Sequence, residues 1–406
     1  MRVLFLTHRL PYPPNRGDRI RAFQILRSLV PDIEVDLVSL VHDDLEAGEV
    51  ERLQQRLDVR VTAVRVPSYR NRLNAAFALA GRQPLTHVLL NARDVMPAIT
   101  RIVEARPPDV VLAYCSSMAQ FALQPPLAGI PLVLDLVDLD SAKWNDLAGK
   151  SRAPLRSIYS REARWLGTFE QTAIQHARTT LVVNEREADA VRRFANGASV
   201  VAVPNGVDLW TLQPSGAPIE EPRVVFCGVM NYPPNVDGVV WFAREVWPLV
   251  RKTIPAATFT IVGSDPTEAV RRLASAADGI DVTGRVPDVS RYLWESTLSV
   301  APLHVARGVQ NKVLEAVASG LPTVVTPAVF EGLPNEVRLA CRLAETAEEF
   351  ARQTTRMLRM TGTERRAMAA RANVGALSWE QQLAPLKTLL TEASGQTAAP
   401  RRALAV

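Results

Sequence analysis

Cysteine is scarce in this chain of 406 residues: Cys115, Cys227 and Cys341 are all it has. They are odd in number, far apart and never spaced as C-x-x-C. That argues against a disulfide framework or a zinc site and points to a reducing compartment. Long apolar runs are lacking too. The opening stretch, Met1 to His8, is too short to read as a signal peptide. Val110 to Leu134 carries no charge, but Ser116, Gln120, Pro125, Pro126, Gly129 and Pro131 break it up. It reads as buried strand, short helix, turn and second strand rather than a membrane span. There is no G-x-G-x-x-G, which removes the usual dinucleotide fingerprint, and no repeat of fixed period.

What is present describes an ordinary globular protein. Hydrophobic residues make up 47% and charged residues 22%, and the length calls for two domains. The net charge of +5 is mild but uneven. Arg65, Arg70, Arg72, Arg82 and Arg93 share a window without an acid, and Lys150, Arg152, Arg156, Arg161 and Arg164 surround only Glu162. Neither cluster comes with an aromatic platform or a recognition motif, so nucleic acid is not an expected partner. An anionic membrane surface is one reading of these clusters and a solvated basic face is the other. In the first window Leu73, Ala76, Phe77 and Ala80 recur at helical spacing. That stripe could lie on a headgroup layer or pack against its own sheet.

Short apolar runs alternate with helical patterns nearly throughout, which predicts an α/β chain built on parallel, doubly wound sheets. Strands are expected at Val3–Thr7, Val35–Leu40, Val59–Val64, Val110–Ala113, Leu132–Leu134, Thr180–Val183 and Val200–Val203. A second series follows at Val224–Cys227, Thr258–Val262, Ile280–Thr283, Leu298–Ala301 and Thr323–Val325. Its helices are expected near Asp237–Lys252, Thr267–Ala277, Gln310–Ser319 and Glu345–Met360. The turn-rich stretch from Pro204 to Pro222 separates the series. The expected organisation is therefore a Rossmann-like domain over residues 1–203 and another over 204–375. A closing helix over 376–392 would return to the first domain, and a disordered tail would occupy 393–406.

Ligands of doubly wound sheets bind beyond the carboxyl ends of the strands, so two such domains facing each other would put their sites on one cleft. After the first strand, Arg16, Gly17 and the helix start behind them could receive an anion or an acceptor; a plain proline-rich turn is the alternative. After Leu134 come Asp135, Asp138 and Asp140, three carboxylates within six residues. One of them could touch substrate, and helix capping accounts for another. The segment from Pro302 to Val325 reads as strand end, glycine loop, helix, glycine cap and strand. Gly308 and the helix start at Val309, Gln310 and Asn311 offer backbone donors to phosphate. Lys312 adds a cation, and Glu315 a carboxylate able to accept hydrogen bonds from a ribose diol. The competing account is that Lys312 and Glu315 are only an ion pair on a packing helix.

At this segment the chain resembles the retaining family-four glycosyltransferases of the GT-B fold. More narrowly it resembles bacterial sugar transferases of exopolysaccharide and PEP-CTERM systems. The resemblance rests on an ordered series: Pro204-Asn-Gly-Val-Asp208, Cys227-Gly228 to Asn235, Ile261-Val-Gly263-Ser-Asp-Pro266, Gly284-Arg-Val-Pro-Asp288 and Asn311-Lys312-Val-Leu-Glu315. It implies a nucleoside-diphosphate sugar as donor and a glycan or lipid-linked acceptor, with no cofactor and no metal. It also implies a cytoplasmic enzyme, peripheral on the inner face of the plasma membrane if the basic clusters meet lipid. By that resemblance Glu315 binds the donor ribose, while Gly228, Gly263, Lys312 and the helix start at Val309 serve the diphosphate. Arg285 and Val286 lie near the base. Arg307 stands where the family usually has a glutamate, and Asn231-Tyr-Pro-Pro stands where it usually has an arginine and a lysine. Asp138, Lys312 and Arg307 are the candidate catalytic residues, and Asp138 joins Arg16 and Gly17 on the acceptor side. A nucleotide-sugar 2-epimerase-like enzyme and a non-catalytic nucleotide-sugar-binding partner are the rival readings.

Overall fold

The computed structural model describes residues 1–213, 216–274, 279–306 and 309–395. The chain divides into two compact units, Met1–Pro204 together with the chain from Leu383, and Asn205–Gln382. Each is a parallel sheet wrapped by helices.

In the first unit the strands are β1 (Arg2–Thr7), β2 (Glu34–Val41), β3 (Arg60–Arg65), β4 (Val110–Tyr114), β5 (Leu132–Val137), β6 (Thr179–Val182) and β7 (Val200–Ala202). They lie in the order β3-β2-β1-β4-β5-β6-β7, all paired in parallel. Every residue of β1 and β4 is buried, as continuous apolar strands between two helical layers must be. The edge strand β3 is mostly open to solvent and carries arginines at both ends, which protects an unpaired edge. The sequence order reverses between β1 and β4, the point at which a doubly wound sheet opens a crevice.

The second unit repeats this plan. Its strands are β8 (Arg223–Cys227), β9 (Thr258–Val262), β10 (Ile280–Gly284), β11 (Leu298–Ala301), β12 (Thr323–Val325) and β13 (Cys341–Leu343). Their order is β10-β9-β8-β11-β12-β13, with the reversal between β8 and β11. Phe242, Trp247, Phe259 and Phe350 form an aromatic knot within its core. Where the chain enters and leaves this unit, two passages run side by side. Val207 bridges Ser378, and its amide donates to the Leu377 carbonyl at 2.7 Å. A Cβ on Gly206 would sit 2.4 Å from the Trp379 backbone, so only glycine fits there.

Several expected elements differ from what forms. The helix after β8 starts at Pro233, using proline at its first turn, and passes through a π turn at Phe242–Val246 before ending at Thr253. The helix expected over Thr267–Ala277 is a single turn, Glu268–Arg271, and residues 275–277 fall outside the described residues. The strand β13 and the 22-residue helix Leu155–His176 were not anticipated. The closing helix runs Trp379–Ala393, and the expected tail from 396 onward lies outside the described residues.

Candidate functional site

Two glycines follow the carboxyl ends of β8 and β9. The Gly228 amide donates to the Val262 carbonyl at 2.9 Å. A Cβ on Gly263 would fall 1.6 Å from the Gly228 carbonyl oxygen, and one on Gly228 would fall 2.8 Å from the Asn235 amide nitrogen. Gly263 is therefore glycine because two backbones cross here, and Gly228 because the Asn235 side chain fills the space beside it. At the end of β10, Gly284 holds φ +70 with open space beside it. The neighbouring Arg285 is exposed and lies 3.8 Å from Asp265, while Val286 packs on the core.

The chemistry gathers above β8 and β11. The helix Pro233–Trp241 supplies Asn235, buried and anchored by its amide donating to the Val229 carbonyl at 2.9 Å. The helix Asn311–Ala318 supplies Lys312, whose ammonium donates to the Asn235 side-chain oxygen at 2.6 Å. That ammonium also sits 4.7 Å from the centre of the Phe226 ring, a cation–π contact. Lys312 is thus held by Asn235 and Phe226, and among the described residues no ion pair joins it to Glu315, one turn along the same helix. The expected alternative of a simple Lys312–Glu315 surface pair does not describe this geometry. Burial lowers the Lys312 pKa to about 8, against the charges of Cys227 and Glu315. It raises that of Glu315 to about 7, against the charge of Lys312. Both groups are thus poised between protonation states near neutral pH, as residues that meet a charged ligand often are. The helix start has no side-chain cap: Gln310 is extended at the cap position, and Asn311 instead accepts from the Asn205 amide at 3.2 Å. No Asp, Ser or Thr stands at the cap position, and the Val313 amide donates back to the Gln310 carbonyl at 2.9 Å. Val309 is itself buried, and Arg307 and Gly308 lie outside the described residues.

Nearby, the His304 ring meets the Trp241 ring edge-on, centres 4.6 Å apart. A small cavity lined by Pro218, Trp294, Ser319 and Arg365 lies at the amino ends of β8, β11 and β12, away from all of these groups.

In the first unit a denser polar cluster surrounds the carboxyl ends of β1, β2, β4 and β5. Gly17 opens the helix Gly17–Leu29 with free space where a Cβ would point. Arg16 stands 3.5 Å from Asp18, and the His8 ring stacks on Tyr114 with its Nε2 3.7 Å from the same carboxylate. Burial opposes ionisation of Asp18, yet the His8 hydrogen bond and the Arg16 charge hold it well below the usual carboxylate range. Glu46 accepts from the Leu10 and His42 amides and from Arg19, and burial lowers the His42 pKa. Deeper, Arg21 and Asp135 form a fully buried pair at 2.9 Å. Sequence reasoning named Arg16, Gly17 and Asp138 here but missed His8, Asp18 and Glu46. The one available signal was the clustering of His, Arg and Asp in the loop after β1.

Asp138 and Asp140 are bridged by Lys143, which pairs with Asp138 and lies 3.1 Å from Asp140. Neither aspartate caps the helix Asp140–Lys150. Its first amides, of Asp140 and Ser141, donate instead to Glu170 at 3.0 and 3.2 Å. Helix capping therefore accounts for Glu170 and not, as expected, for one of the aspartates. Burial and the Asp140 charge raise the Glu170 pKa to about 7. Cys115 and Val137, after β4 and at the end of β5, both hold φ +68. Left-handed backbone at two non-glycine residues stores strain of the kind found at functional sites.

The basic windows are only partly free. Arg65 pairs with Asp44, and the Arg161 guanidinium donates to the carbonyls of Ala78, Leu79, Gly81 and Gln83. The stripe of Leu73, Ala76, Phe77 and Ala80 points to solvent and does not pack on the sheet. Among the described residues, no helix is long and apolar enough to cross a membrane, and no group of three His, Cys, Asp or Glu is placed to hold a metal.

Residues 16–206 match a family model described as a glycosyl transferase 4-like domain, and residues 221–360 match one described as glycosyl transferases group 1. Comparison with curated proteins returns no match. Among solved structures, sucrose-phosphate synthase from Thermosynechococcus elongatus superposes with a TM-score of 0.72 at 16% identity, covering 97% of this chain and 99% of that one. HepE from Anabaena in complex with UDP gives 0.66 at 14% identity over 97% and 100%. WaaG, a glycosyltransferase involved in lipopolysaccharide biosynthesis, gives 0.64 at 15% identity over 95% and 98%.

Proposed function

The chain is a glycosyltransferase of the GT-B fold, and from that premise we propose that it moves a sugar from a nucleoside-diphosphate sugar to an acceptor hydroxyl, with retention of anomeric configuration. The observation that carries the reading is the Asn235–Lys312–Glu315 group above the switch point of the second sheet. Breaking the sugar–phosphate bond leaves negative charge on the diphosphate, and a fixed cation beside uncapped helix amides is what stabilises it. In this reading Lys312 and the amides near Val309, Gln310 and Asn311 receive the phosphates beside Gly228 and Gly263. Glu315 accepts from the ribose diol, and the base lies near Gly284, Arg285 and Val286. Arg307 adds positive charge to the same diphosphate. The acceptor rests on the first unit near Arg16, Gly17 and Asp138, where Asp138, held by Lys143, receives the acceptor hydroxyl.

Structures of HepE with UDP and with UDP-glucose make uridine the first base to try. Assembly of an exopolysaccharide or another surface glycan is the process proposed for the product. The test is calorimetry of the purified protein with a panel of nucleoside diphosphates, followed by release of nucleoside diphosphate from the matching sugar with and without acceptor. Binding that depends on Glu315 and release that depends on acceptor support transfer. Acceptor-independent conversion of the donor would favour an epimerase-like enzyme, and binding without turnover a non-catalytic partner.

A further inference from the structure

The helix Ser68–Ala78 is attached to its unit by its polar side. Asn71 is its buried residue, 2% exposed, and its amide donates to the Leu89 and Asn91 carbonyls at 3.0 and 2.7 Å. Tyr69, Leu73 and Phe77 follow one another at intervals of four and therefore form one stripe. They are 80%, 49% and 83% exposed. At about 100° per residue, Arg70 and Arg72 fall on the two flanks of that stripe and Asn71 opposite it. An amphipathic helix of a globular protein normally turns its apolar face inward; here the orientation is reversed.

Along the chain on either side of the stripe the charge is of one sign, with Arg65 at its edge paired to Asp44. No acidic residue occurs from Arg65 to Arg93. The second basic segment belongs to the same surface, because the helix Leu155–His176 holds the turn that follows Ala78. Arg161 binds that turn through four carbonyls, and Glu162 accepts from the Leu85 and Thr86 amides beyond it. Arg82 and Arg164 then share the Trp165 ring, at 5.7 and 5.0 Å from its centre. Two basic windows that lie apart in sequence thus become one face.

We propose that this face docks on an anionic lipid bilayer, with Tyr69, Leu73 and Phe77 entering the headgroup layer and Arg70 and Arg72 meeting lipid phosphates. A merely solvated face gives no reason to expose three large apolar side chains in a row, whereas an interfacial helix needs both them and flanking cations. A second copy of the chain would set arginine against arginine. The inference does not rest on the donor site.

The test is co-sedimentation with vesicles of phosphatidylcholine alone or mixed with phosphatidylglycerol, at low and high salt. The protein is expected to bind the anionic vesicles and to lose most of that binding as salt rises. Phe77→Ser should lower the partition coefficient about tenfold. Removing Arg70 and Arg72 with glutamine should lower it by roughly fivefold for each arginine. Circular dichroism and Tm should stay unchanged in both variants, since the side chains are exposed. Transfer to a soluble acceptor, measured in parallel, should also stay unchanged, which separates failure here from failure of the donor reading. Equal and negligible binding to both vesicle types at low salt overturns the proposal. So does binding that ignores Phe77→Ser, which would indicate a polyanion such as nucleic acid held by charge alone. Concentration-dependent dimerisation abolished by the serine variant would overturn it in favour of a second copy.

Discussion

Lys312 and Glu315 lie one helical turn apart, and burial drives both toward neutrality, the lysine down to about 8 and the glutamate up to about 7. A bound diphosphate would favour the charged lysine, and a ribose diol donating hydrogen bonds would favour the charged glutamate. Donor binding should therefore take up protons just above pH 8 and release them just below pH 7. Calorimetry in buffers of different ionisation enthalpy reads this directly, and proton exchange of one sign throughout would refute the assignment. Glu315→Ala should weaken nucleotide binding by about 1–3 kcal/mol, because it removes a charged acceptor from a buried diol. The same glutamate opposes folding when no donor is bound. Its folded pKa lies above the ordinary value, so the folded state binds more protons than the unfolded one and stability falls as pH rises from about 4.5 toward 7. Glu315→Gln should thus raise the Tm of the ligand-free protein at pH 8 more than at pH 5. A larger gain at pH 5 would contradict the sign of the shift. At this scale the sequence was legible where a residue type announces its chemistry, as Lys312 and Glu315 do on a helix after a glycine loop. Asn235 was passed over because an asparagine behind Tyr-Pro-Pro reads as a turn, and its partner lies 77 positions away.

Among elements, strands buried on both faces were readable nearly to their ends: Thr258–Val262, Leu298–Ala301 and Thr323–Val325 form as expected. Short runs rich in β-branched or apolar residues leave the backbone little choice there. Cys341–Leu343 escaped notice because three residues with a central arginine carry no periodic signal. The helix Leu155–His176 was hidden by its charges, which read as a basic cluster until Arg161 and Glu162 were seen to bind backbone groups of residues 78–86. The glycines after β8 and β9 were noticed for a ligand, but chain crossing at Gly263 and the Asn235 side chain beside Gly228 explain them without one. Gly263→Ala should accordingly destabilise the second unit by about 2–4 kcal/mol, since its Cβ meets a carbonyl oxygen that cannot move without breaking the β8–β9 register. Denaturant unfolding measures this, and a loss below about 0.5 kcal/mol would show that the loop relaxes freely.

For the whole molecule, the division into two parallel sheets with the same winding followed from the alternation of strand and helix patterns and from the turn-rich stretch after Pro204. Composition could not show which charges neutralise one another, because those pairs form only when distant segments meet. Lys143 illustrates this. Asp138 and Asp140 are two neighbouring carboxylates of the kind that can ligate a metal, yet Lys143 stands between them. Burial works against its charge, but Asp140 and Asp138 together raise its pKa well above the ordinary lysine value, so the cation stays in place throughout the physiological range. A divalent ion would have to displace it. The aspartates belong to the unit formed by Met1–Pro204, while Lys312 belongs to the other unit, where the proposed donor diphosphate meets a protein cation and helix amides. Activity should therefore survive excess EDTA, and Lys143→Met should create manganese affinity that the unaltered protein lacks. Activity lost to EDTA and restored by manganese or magnesium would instead place Asp138 and Asp140 on a catalytic metal and make Lys143 its substitute in the resting enzyme.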